Sequence, residues 1–231
     1  MTRKERSLKA VEALEKLYPD AACSLTYAHS YELLIATRLS AQCTDARVNI
    51  VTKELFSKYP TLTSLAEASV EDIEAIVKPC GLFHTKARDI VNLSRMLLSD
   101  YGGELPDTME ELTRLPGVGR KTANLVLGDI FGKPAVVTDT HCIRICGRLG
   151  LTKETEPYKV EMDLKKLLPP EKSSDFCHRL CSSAGNSARH GALNVPPAPC
   201  GNSARRWSLS KNNLTAVPCC GKIKSNQGCW L

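Results

Sequence analysis

Apolar side chains recur every three or four residues along most of the first 180 positions, and this spacing constrains the fold more than any other feature. Ile90, Leu93 and Leu97 are one example. Residues spaced in this way share one face of an α-helix. Within the sequence, no stretch shows the sustained alternation that is typical of a β-strand. The sequence therefore predicts an all-α protein with short connections.

Polar residues at the predicted helix ends support this interpretation. Ser69 with Asp72, and Thr108 with Glu111, have the spacing of a capping box, in which a hydroxyl satisfies a backbone N–H of the first turn. Gly81 stands where a helix would end, because glycine readily adopts the left-handed conformation of a C-cap. These signals predict helices that begin after residues 69 and 108.

The charge of the chain is unevenly distributed. Residues 1–180 contain 25 basic and 25 acidic side chains, whereas the last 51 residues contain six basic side chains and no acidic one. A nucleic-acid function must therefore rest on local motifs rather than on the net charge of +6. The sequence shows no charged-then-apolar leader and no apolar run of membrane-spanning length, so we expect a cytoplasmic protein.

Cysteine is abundant, with 11 residues in the chain. The six before residue 181 are interpreted as small buried apolar side chains. Two C-x-x-C pairs, which a zinc ribbon needs, do not occur in the sequence. We therefore predict no metal-ligating residues.

The segment 181–231 has a different composition. Ser, Asn, Gly and Pro dominate, and the motif GNSAR occurs at 185–189 and again at 201–205. Such a segment has little periodic apolar surface to offset the entropy lost on ordering. We expect it to be an aberrant, disordered tail.

The stretch LPGVGRKTANLVL at 115–127 predicts a helix, a tight turn and a second helix, which together span about residues 108–130. We expect Gly117 and Gly119 to adopt positive φ and to let a ligand approach the backbone. The unpaired N–H groups that open the second helix would then bind phosphate regardless of base sequence. The alternative is a purely structural corner between two helices; the following Arg120 and Lys121 favour DNA.

Lys121 falls in the first turn of the second helix. The helix dipole disfavours an ammonium group there, and we expect partial burial to disfavour it further. Both effects favour the free amine that nucleophilic attack on carbon requires. The alternative is a charged lysine that contacts a phosphate.

The stretch KPAVVTDTHCIRI at 133–145 predicts how the chain returns to this lysine. A helix from Arg120 to Phe131 rises roughly 16 Å, and an extended return through Val136 and Val137 covers a similar distance. Asp139 would then finish beside Lys121 and also cap the next helix. The alternative is that Asp139 is a cap alone.

These two stretches resemble the helix-hairpin-helix DNA glycosylases, and most closely the endonuclease III family. LSAQCTD at 39–45 and GLFHTKA at 81–87 also match that family in order and spacing. The four motifs together are highly specific, and the similarity covers about residues 1–180. The adenine-mismatch glycosylases usually lack both a lysine at position 121 and the run Asp-Thr-His at 139–141, so the resemblance points to the bifunctional branch.

The resemblance implies a base-excision repair activity on oxidised pyrimidines and abasic sites in double-stranded DNA, by a monomer that associates with the nucleoid. Lys121 would attack C1′ of the damaged nucleotide, and Asp139 would assist it. Gln42 and Leu82 would enter the duplex, although core or loop packing is their alternative, and His84 lies in the same DNA-contacting segment. The hairpin residues that would contact DNA are Gly117, Val118, Gly119 and Arg120.

The resemblance also implies two helical domains with a DNA-binding cleft between them. A six-helix domain would span 23–131, and residues 1–22 with 132–180 would form the second. The family usually holds a [4Fe–4S] cluster with Cys-x6-Cys-x2-Cys-x5-Cys, but the five cysteines from Cys181 onward are separated by 18, 18, 0 and 8 residues. We therefore predict that the cluster is absent. A catalytically impaired DNA-binding copy is the alternative function.

Overall fold

Helices dominate the described residues, as the apolar spacing predicts. The structure, a computed structural model, describes residues 1–185, 205–210 and 213–218. The helices are α1 (Arg3–Leu17), α2 (Ser30–Leu39), α3 (Asp45–Lys58), α4 (Leu62–Glu67), α5 (Val70–Val77), α6 (Phe83–Tyr101), α7 (Met109–Leu112), α8 (Arg120–Asp129), α9 (Thr140–Arg148), α10 (Pro157–Leu167) and α11 (Ser173–Gly185). Short 3₁₀ turns occur at Lys78–Cys80 and Pro170–Lys172. None of the helices in this part of the chain combines the length and apolar character needed to cross a membrane.

The predicted helix starts are confirmed. Ser69 caps α5, with its Oγ accepting a hydrogen bond from Asp72 N at 3.1 Å. Thr108 caps α7, with its Oγ1 accepting from Glu111 N at 3.3 Å. Gly81 is the C-cap residue of the 3₁₀ turn before α6, with φ 68° and ψ 162°; its φ is positive, as glycine permits, but its ψ differs from that of the expected left-handed cap.

The first hydrophobic core is formed mainly by α2 to α8. Leu33, Ile73 and Ile90 are fully buried in it, and the core extends as far along the chain as Ala135. Residues 23–131 contain seven α-helices rather than six, because the single turn Met109–Leu112 forms a helix of its own. This core supports both the turn between α5 and α6 and the hairpin between α7 and α8.

The second core combines the start of the chain with residues that follow the hairpin. Val11 and Leu14 of α1 pack with a cluster that includes Val160 of α10 and Phe176 of α11. Ser7 Oγ also donates a hydrogen bond to the carbonyl oxygen of Leu167 across 2.9 Å. The N-terminal helix therefore packs with the later helices, and the change between the two cores falls between residues 135 and 136.

Helix α8 joins the two cores through close contacts with α11. A Cβ at Gly128 would clash with the hydroxyl of Ser174, so this approach requires a residue without a side chain. Asp129 Oδ1 lies 2.7 Å from His178 Nε2, and both side chains are nearly buried. The helix that carries Lys121 is therefore fixed at its C-terminal end.

The structure differs from the sequence-based expectation after residue 180. Helix α11 continues to Gly185, and strands β1 (Arg205–Ser210) and β2 (Asn213–Pro218) pair antiparallel. A short hairpin is held by backbone hydrogen bonds between its two strands, so it can form without a sustained alternation of apolar and polar residues. The rest of the predicted disordered tail, at 186–204, 211–212 and 219–231, lies outside the described residues.

Candidate active site

The hairpin turn depends on Gly117. This residue has φ 73°, as predicted, and a Cβ there would lie 2.5 Å from Arg38 Nε and 2.6 Å from Asp89 Oδ2. Arg38 and Asp89 form an ion pair beneath the turn, with 2.7 Å between Arg38 Nη2 and Asp89 Oδ2. A side chain at position 117 would therefore break this support as well as strain the backbone.

Gly119 has a different reason to be glycine. Its φ is −96° with ψ 174°, so the predicted positive φ is wrong for this residue, because extended geometry is sufficient to begin α8. A Cβ at Gly119 would meet no atom within 4 Å. Between the two glycines, Val118 is only 6% exposed and anchors the turn in the first core. The open space beside Gly119 therefore leaves room for an external ligand.

The first turn of α8 has no side-chain cap. Gly119 is its N-cap residue and makes no side-chain hydrogen bond. The opening N–H groups of a helix have no partner within the helix and attract anions. The turn therefore has the donors that the sequence predicts for phosphate binding.

Lys121 lies in this first turn and is exposed. The expected partial burial is wrong, because at the second position of α8 the side chain points to solvent beside the hairpin rather than into the core. Within residues 1–184, Lys121 forms no ion pair with Asp139. Its amine is therefore accessible to a ligand.

Asp139 caps α9, and this prediction is confirmed. Its Oδ1 accepts a hydrogen bond from Cys142 N at 2.7 Å. Residues 132–139 return to this point without helical structure, and Val136 and Val137 are buried along the way. The carboxylate is therefore held at the start of a helix in the second core, whereas Lys121 belongs to a helix of the first.

Cys181 connects the two proposed catalytic groups electrostatically. Its Sγ donates to Asp139 Oδ2 at 3.3 Å. Burial of the thiol and the nearby charge of Asp139 raise the pKa of Cys181, and the ammonium of Lys121 opposes that increase. The charges of Lys121 and Asp139 therefore both influence the thiol of Cys181.

The side chain of Arg120 is partly exposed and also contacts Glu161 and Tyr158 of the protein. Its Nε and Nη2 lie 2.6 and 2.9 Å from the carboxylate oxygens of Glu161 on α10, and its guanidinium stacks on the ring of Tyr158. Burial tends to raise the pKa of Glu161, but hydrogen bonds from Arg120 and Lys165 lower it overall. Arg120 therefore holds α8 against α10, whatever else it contacts.

Leu82 and Gln42 are exposed residues with unusual backbone conformations. Leu82 has φ 49° and is 56% exposed, whereas Gln42 has φ 57° and lies in the loop after α2. They are the only non-glycine residues with positive φ in the described part of the chain. Left-handed conformations at such residues are rare and concentrate at functional sites.

His84 lies in the first turn of α6, two residues after Leu82. Its side chain is 68% exposed, and its Nδ1 is 2.8 Å from Glu74 Oε1. Its ring also contacts Phe83, with 4.0 Å between the ring centroids. These contacts fix the imidazole beside the exposed Leu82.

Sequence reasoning assigned no role to Lys86 or to Glu161. Lys86 has the same helical spacing as Ile90 and Leu93, which predicts a position on the buried face of α6. Glu161 pairs with Arg120 from a distant part of the chain, and no local pattern reveals such a contact. The partnership of Cys181 with Asp139 also escaped prediction, because Cys181 was assigned to the tail.

The described cysteines do not form a metal site. Cys142 and Cys146 of α9 lie with 4.0 Å between their sulfur atoms, and Cys177 of α11 packs nearby in the second core. Hydrogen bonding to neighbouring thiols and burial raise the pKa values of Cys142 and Cys177. Among the residues that the structure describes, no group of three His, Cys, Asp or Glu side chains is arranged to hold a metal ion.

Comparison with known proteins places this geometry in a family. The model of the HhH-GPD superfamily of base excision DNA repair proteins matches residues 35–170. The chain is 48% identical to endonuclease III of Synechocystis sp. (76% of this chain, 80% of the relative) and 44% identical to endonuclease III of Bacillus subtilis (75% and 82%).

Solved structures give the same result. A trapped endonuclease III–DNA covalent intermediate, in an estranged-adenine complex, has a TM-score of 0.74 and 44% sequence identity. The similarity covers 78% of this chain and 85% of that one. The sequence resemblance is thus confirmed, and the chain belongs to the HhH-GPD superfamily of base excision DNA repair proteins and, within it, to the endonuclease III family.

Proposed function

We propose that this chain is a bifunctional base-excision repair enzyme, which removes oxidised pyrimidines from double-stranded DNA and cuts the strand at the resulting abasic site. The observation that carries the proposal is the position of Lys121 and Asp139. They lie on helices of different cores and both interact with the thiol of Cys181, and Lys121 lies in the first turn after a hairpin with uncapped backbone donors. An accessible primary amine with a nearby carboxylate is the pair that nucleophilic catalysis by lysine requires. Membership of the endonuclease III family supports the same reaction.

Lys121 supplies the nucleophile in this proposal. After losing a proton, its Nζ attacks C1′ of the damaged nucleotide, and the bond from C1′ to the base breaks as the base leaves with the electron pair. Opening of the sugar ring leaves a Schiff base between Nζ and C1′. Loss of a proton from C2′ then expels the 3′-phosphate by β-elimination, and water hydrolyses the imine to return the free lysine.

Asp139 supplies the acid–base and electrostatic assistance. Its Oδ1 accepts a hydrogen bond from Cys142 N, and its Oδ2 accepts one from the thiol of Cys181. The same thiol is influenced by the charge of Lys121. A carboxylate fixed in this way can accept the proton of the lysine and stabilise positive charge that develops on the sugar. The cap geometry limits the side-chain motion that would otherwise weaken both effects.

DNA binding in the proposal uses the hairpin backbone and two protruding loops. The N–H groups that open α8 would bind phosphate, with Gly119 allowing close approach. Leu82, as an apolar wedge, and Gln42 would enter the duplex, while His84 would contact the distorted duplex beside them. A monomer has every residue that these contacts need. The nucleoid-associated location remains a prediction.

The proposed chemistry requires no cofactor. A [4Fe–4S] cluster needs four cysteine thiolates, and the described cysteines do not fit it, because the thiols of Cys142 and Cys177 lie in the second core with raised pKa values. The four cysteines after Cys181 lack the family spacing. We propose that this chain carries no such cluster, and no step of the reaction depends on one.

Borohydride trapping tests the function directly. A duplex with one abasic site is mixed with the protein in the presence of borohydride, which reduces the Schiff base to a stable covalent adduct. We expect an adduct with the wild-type chain and none with Lys121→Gln. Lys9→Gln makes the same change of charge at an exposed position of α1 and should leave trapping intact. A wild-type protein that binds this DNA without forming an adduct would support the catalytically impaired alternative.

A further inference from the structure

Lys86 is a lysine with no exposed surface. Its Nζ donates three hydrogen bonds, to the carbonyl oxygens of Leu39 at 2.8 Å, Ala41 at 2.7 Å and Cys80 at 2.9 Å. An ammonium group has three N–H donors, so these acceptors satisfy it completely. The carbonyl of Leu39 ends α2 and that of Ala41 lies in the following loop, whereas that of Cys80 lies in the turn before α6, so this nitrogen atom joins two separate loops.

Each of these loops carries one of the two exposed residues with left-handed backbone conformation. The carbonyl of Ala41 belongs to the peptide group that leads into Gln42, whose φ is 57°. The carbonyl of Cys80 belongs to the peptide group that leads into Gly81, directly before Leu82 with φ 49°. The buried ammonium therefore fixes the peptide group directly before Gln42 and the peptide group that precedes Gly81, one residue before Leu82.

The purely structural alternative is that Lys86 only fills space on the inner face of α6. A methionine would fill similar space without the cost of burying a charge. Burial lowers the pKa of Lys86, and the nearby thiols of Cys80 and Cys43 offset this only in part. No carboxylate pairs with Lys86 among the residues that the structure describes. A costly charge whose hydrogen-bond acceptors are the carbonyl that ends α2 and two carbonyls of the adjoining loops indicates that the geometry of these segments is what it maintains.

We propose that Lys86 is a positioning residue that holds the loops of Gln42 and Leu82 ready to enter the DNA duplex. The inference rests on the proposed function, in which those two residues enter the distorted duplex. Without the three hydrogen bonds, the loops would relax toward ordinary backbone conformations, and only a fraction of molecules would present both side chains correctly. The apparent affinity for duplex DNA falls by that fraction, whereas the chemistry at Lys121 does not change.

The test compares an abasic site in duplex DNA with the same site in a single strand, which has no base stack to enter. Cleavage is measured in single turnover over a range of enzyme concentrations. For Lys86→Met we expect the half-saturating enzyme concentration on the duplex to increase about tenfold, as for a loop pair that is competent in one molecule in ten. We expect the rate at saturation, and both values on the single strand, to stay unchanged.

A control variant separates this effect from a general loss of stability. Leu93→Ala removes a buried side chain from the same helix, α6, without touching either loop, and should lower the melting temperature while leaving the ratio of duplex to single-strand half-saturation as in the wild type. Lys86→Arg keeps the charge and the donors, and should retain more duplex affinity than Lys86→Met. It also carries the test if the methionine variant does not fold.

The outcomes are distinguishable. Equal losses on duplex and single strand, or a ratio no different from that of Leu93→Ala, would overturn the role of Lys86. Combining Lys86→Met with Leu82→Ala provides a second readout. If Lys86 acts through Leu82, the second substitution should cost less in the combined variant than it does alone; fully additive losses would contradict that. Failure of the wild-type protein to cleave either substrate would instead contradict the proposed function itself.

Discussion

Replacing Gly119 by alanine tests whether the space beside the hairpin is a DNA-binding surface. The new methyl group would meet no protein atom within 4 Å, and φ −96° with ψ 174° suits alanine. Loss of a favourable N-cap costs about 0.5–1 kcal/mol, and the reduced freedom of the unfolded chain returns about 0.4–1 kcal/mol. The free energy of unfolding should therefore change by less than about 1 kcal/mol, or a shift of about 2–4 °C in melting temperature.

The effect on binding should be much larger. If a phosphate approaches the first turn of α8, the methyl group displaces it from at least one charge-assisted backbone hydrogen bond. Such a bond contributes about 1.5–3 kcal/mol, which corresponds to an increase of about 10- to 150-fold in Kd. Binding is measured by fluorescence anisotropy at fixed salt, with a duplex that contains an uncleavable abasic analogue.

Two other glycines serve as controls. Gly147 on α9 also faces open space, so Gly147→Ala should leave Kd unchanged and stabilise the helix by up to about 1 kcal/mol. Gly117→Ala should instead destabilise the fold, because its Cβ would collide with Arg38 and Asp89. An unchanged Kd for Gly119→Ala, in a protein that melts like the wild type, would refute the phosphate-binding role of the hairpin.

Three further predictions concern the catalytic carboxylate of Asp139, the ion pair between Arg120 and Glu161, and the iron–sulfur cluster. Asp139→Asn keeps an N-cap side chain, so melting should barely change while single-turnover base removal slows by about 10² to 10⁴; an unchanged rate would count against the role of Asp139. Glu161→Gln should cost about 1–3 kcal/mol at pH 7, allowing for the solvent around Arg120. Because the pKa of Glu161 in the folded state lies below its usual 4.5, this contribution is present above that pH and is lost as pH falls through the lowered value, so the difference in melting temperature between variant and wild type should shrink on acidification. Finally, the purified chain should contain no iron and lack the broad visible absorption of a cysteine-ligated cluster; about four irons per chain would show that prediction to be wrong.

Some features of the site could be predicted from local sequence, and others could not. Apolar periodicity identified the helical class of the fold and helices such as α6, but not α2 or α4. An aspartate before a helix identified the cap at Asp139, because a cap depends on neighbouring residues. The left-handed backbone at Leu82 has no such signal, since leucine rarely adopts it and the cause lies in tertiary contacts. The partner of Arg120 on α10 was equally hidden, because the ion pair depends on how two cores are packed.

The conformation at Gly119 shows that a glycine in a turn does not by itself predict a positive φ. Two glycines in one turn suggested two positive φ angles, yet only Gly117 has one. The internal contacts of the fold require glycine at position 117, whereas at position 119 a side chain would meet only open space, which we propose is used by DNA. The residue type is glycine in both cases, and only the atoms around each position in the structure distinguish the two situations.

Asp139 is both the cap of α9 and the proposed catalytic carboxylate, and this double use matters for how the position tolerates change. A library screened for thermal stability should accept aspartate, asparagine, serine and threonine there, since all four cap helices well. A library screened for base removal should accept aspartate alone. A survey of stable variants would therefore find several residue types at position 139. Only a selection that requires repair of damaged DNA would show that aspartate is required there.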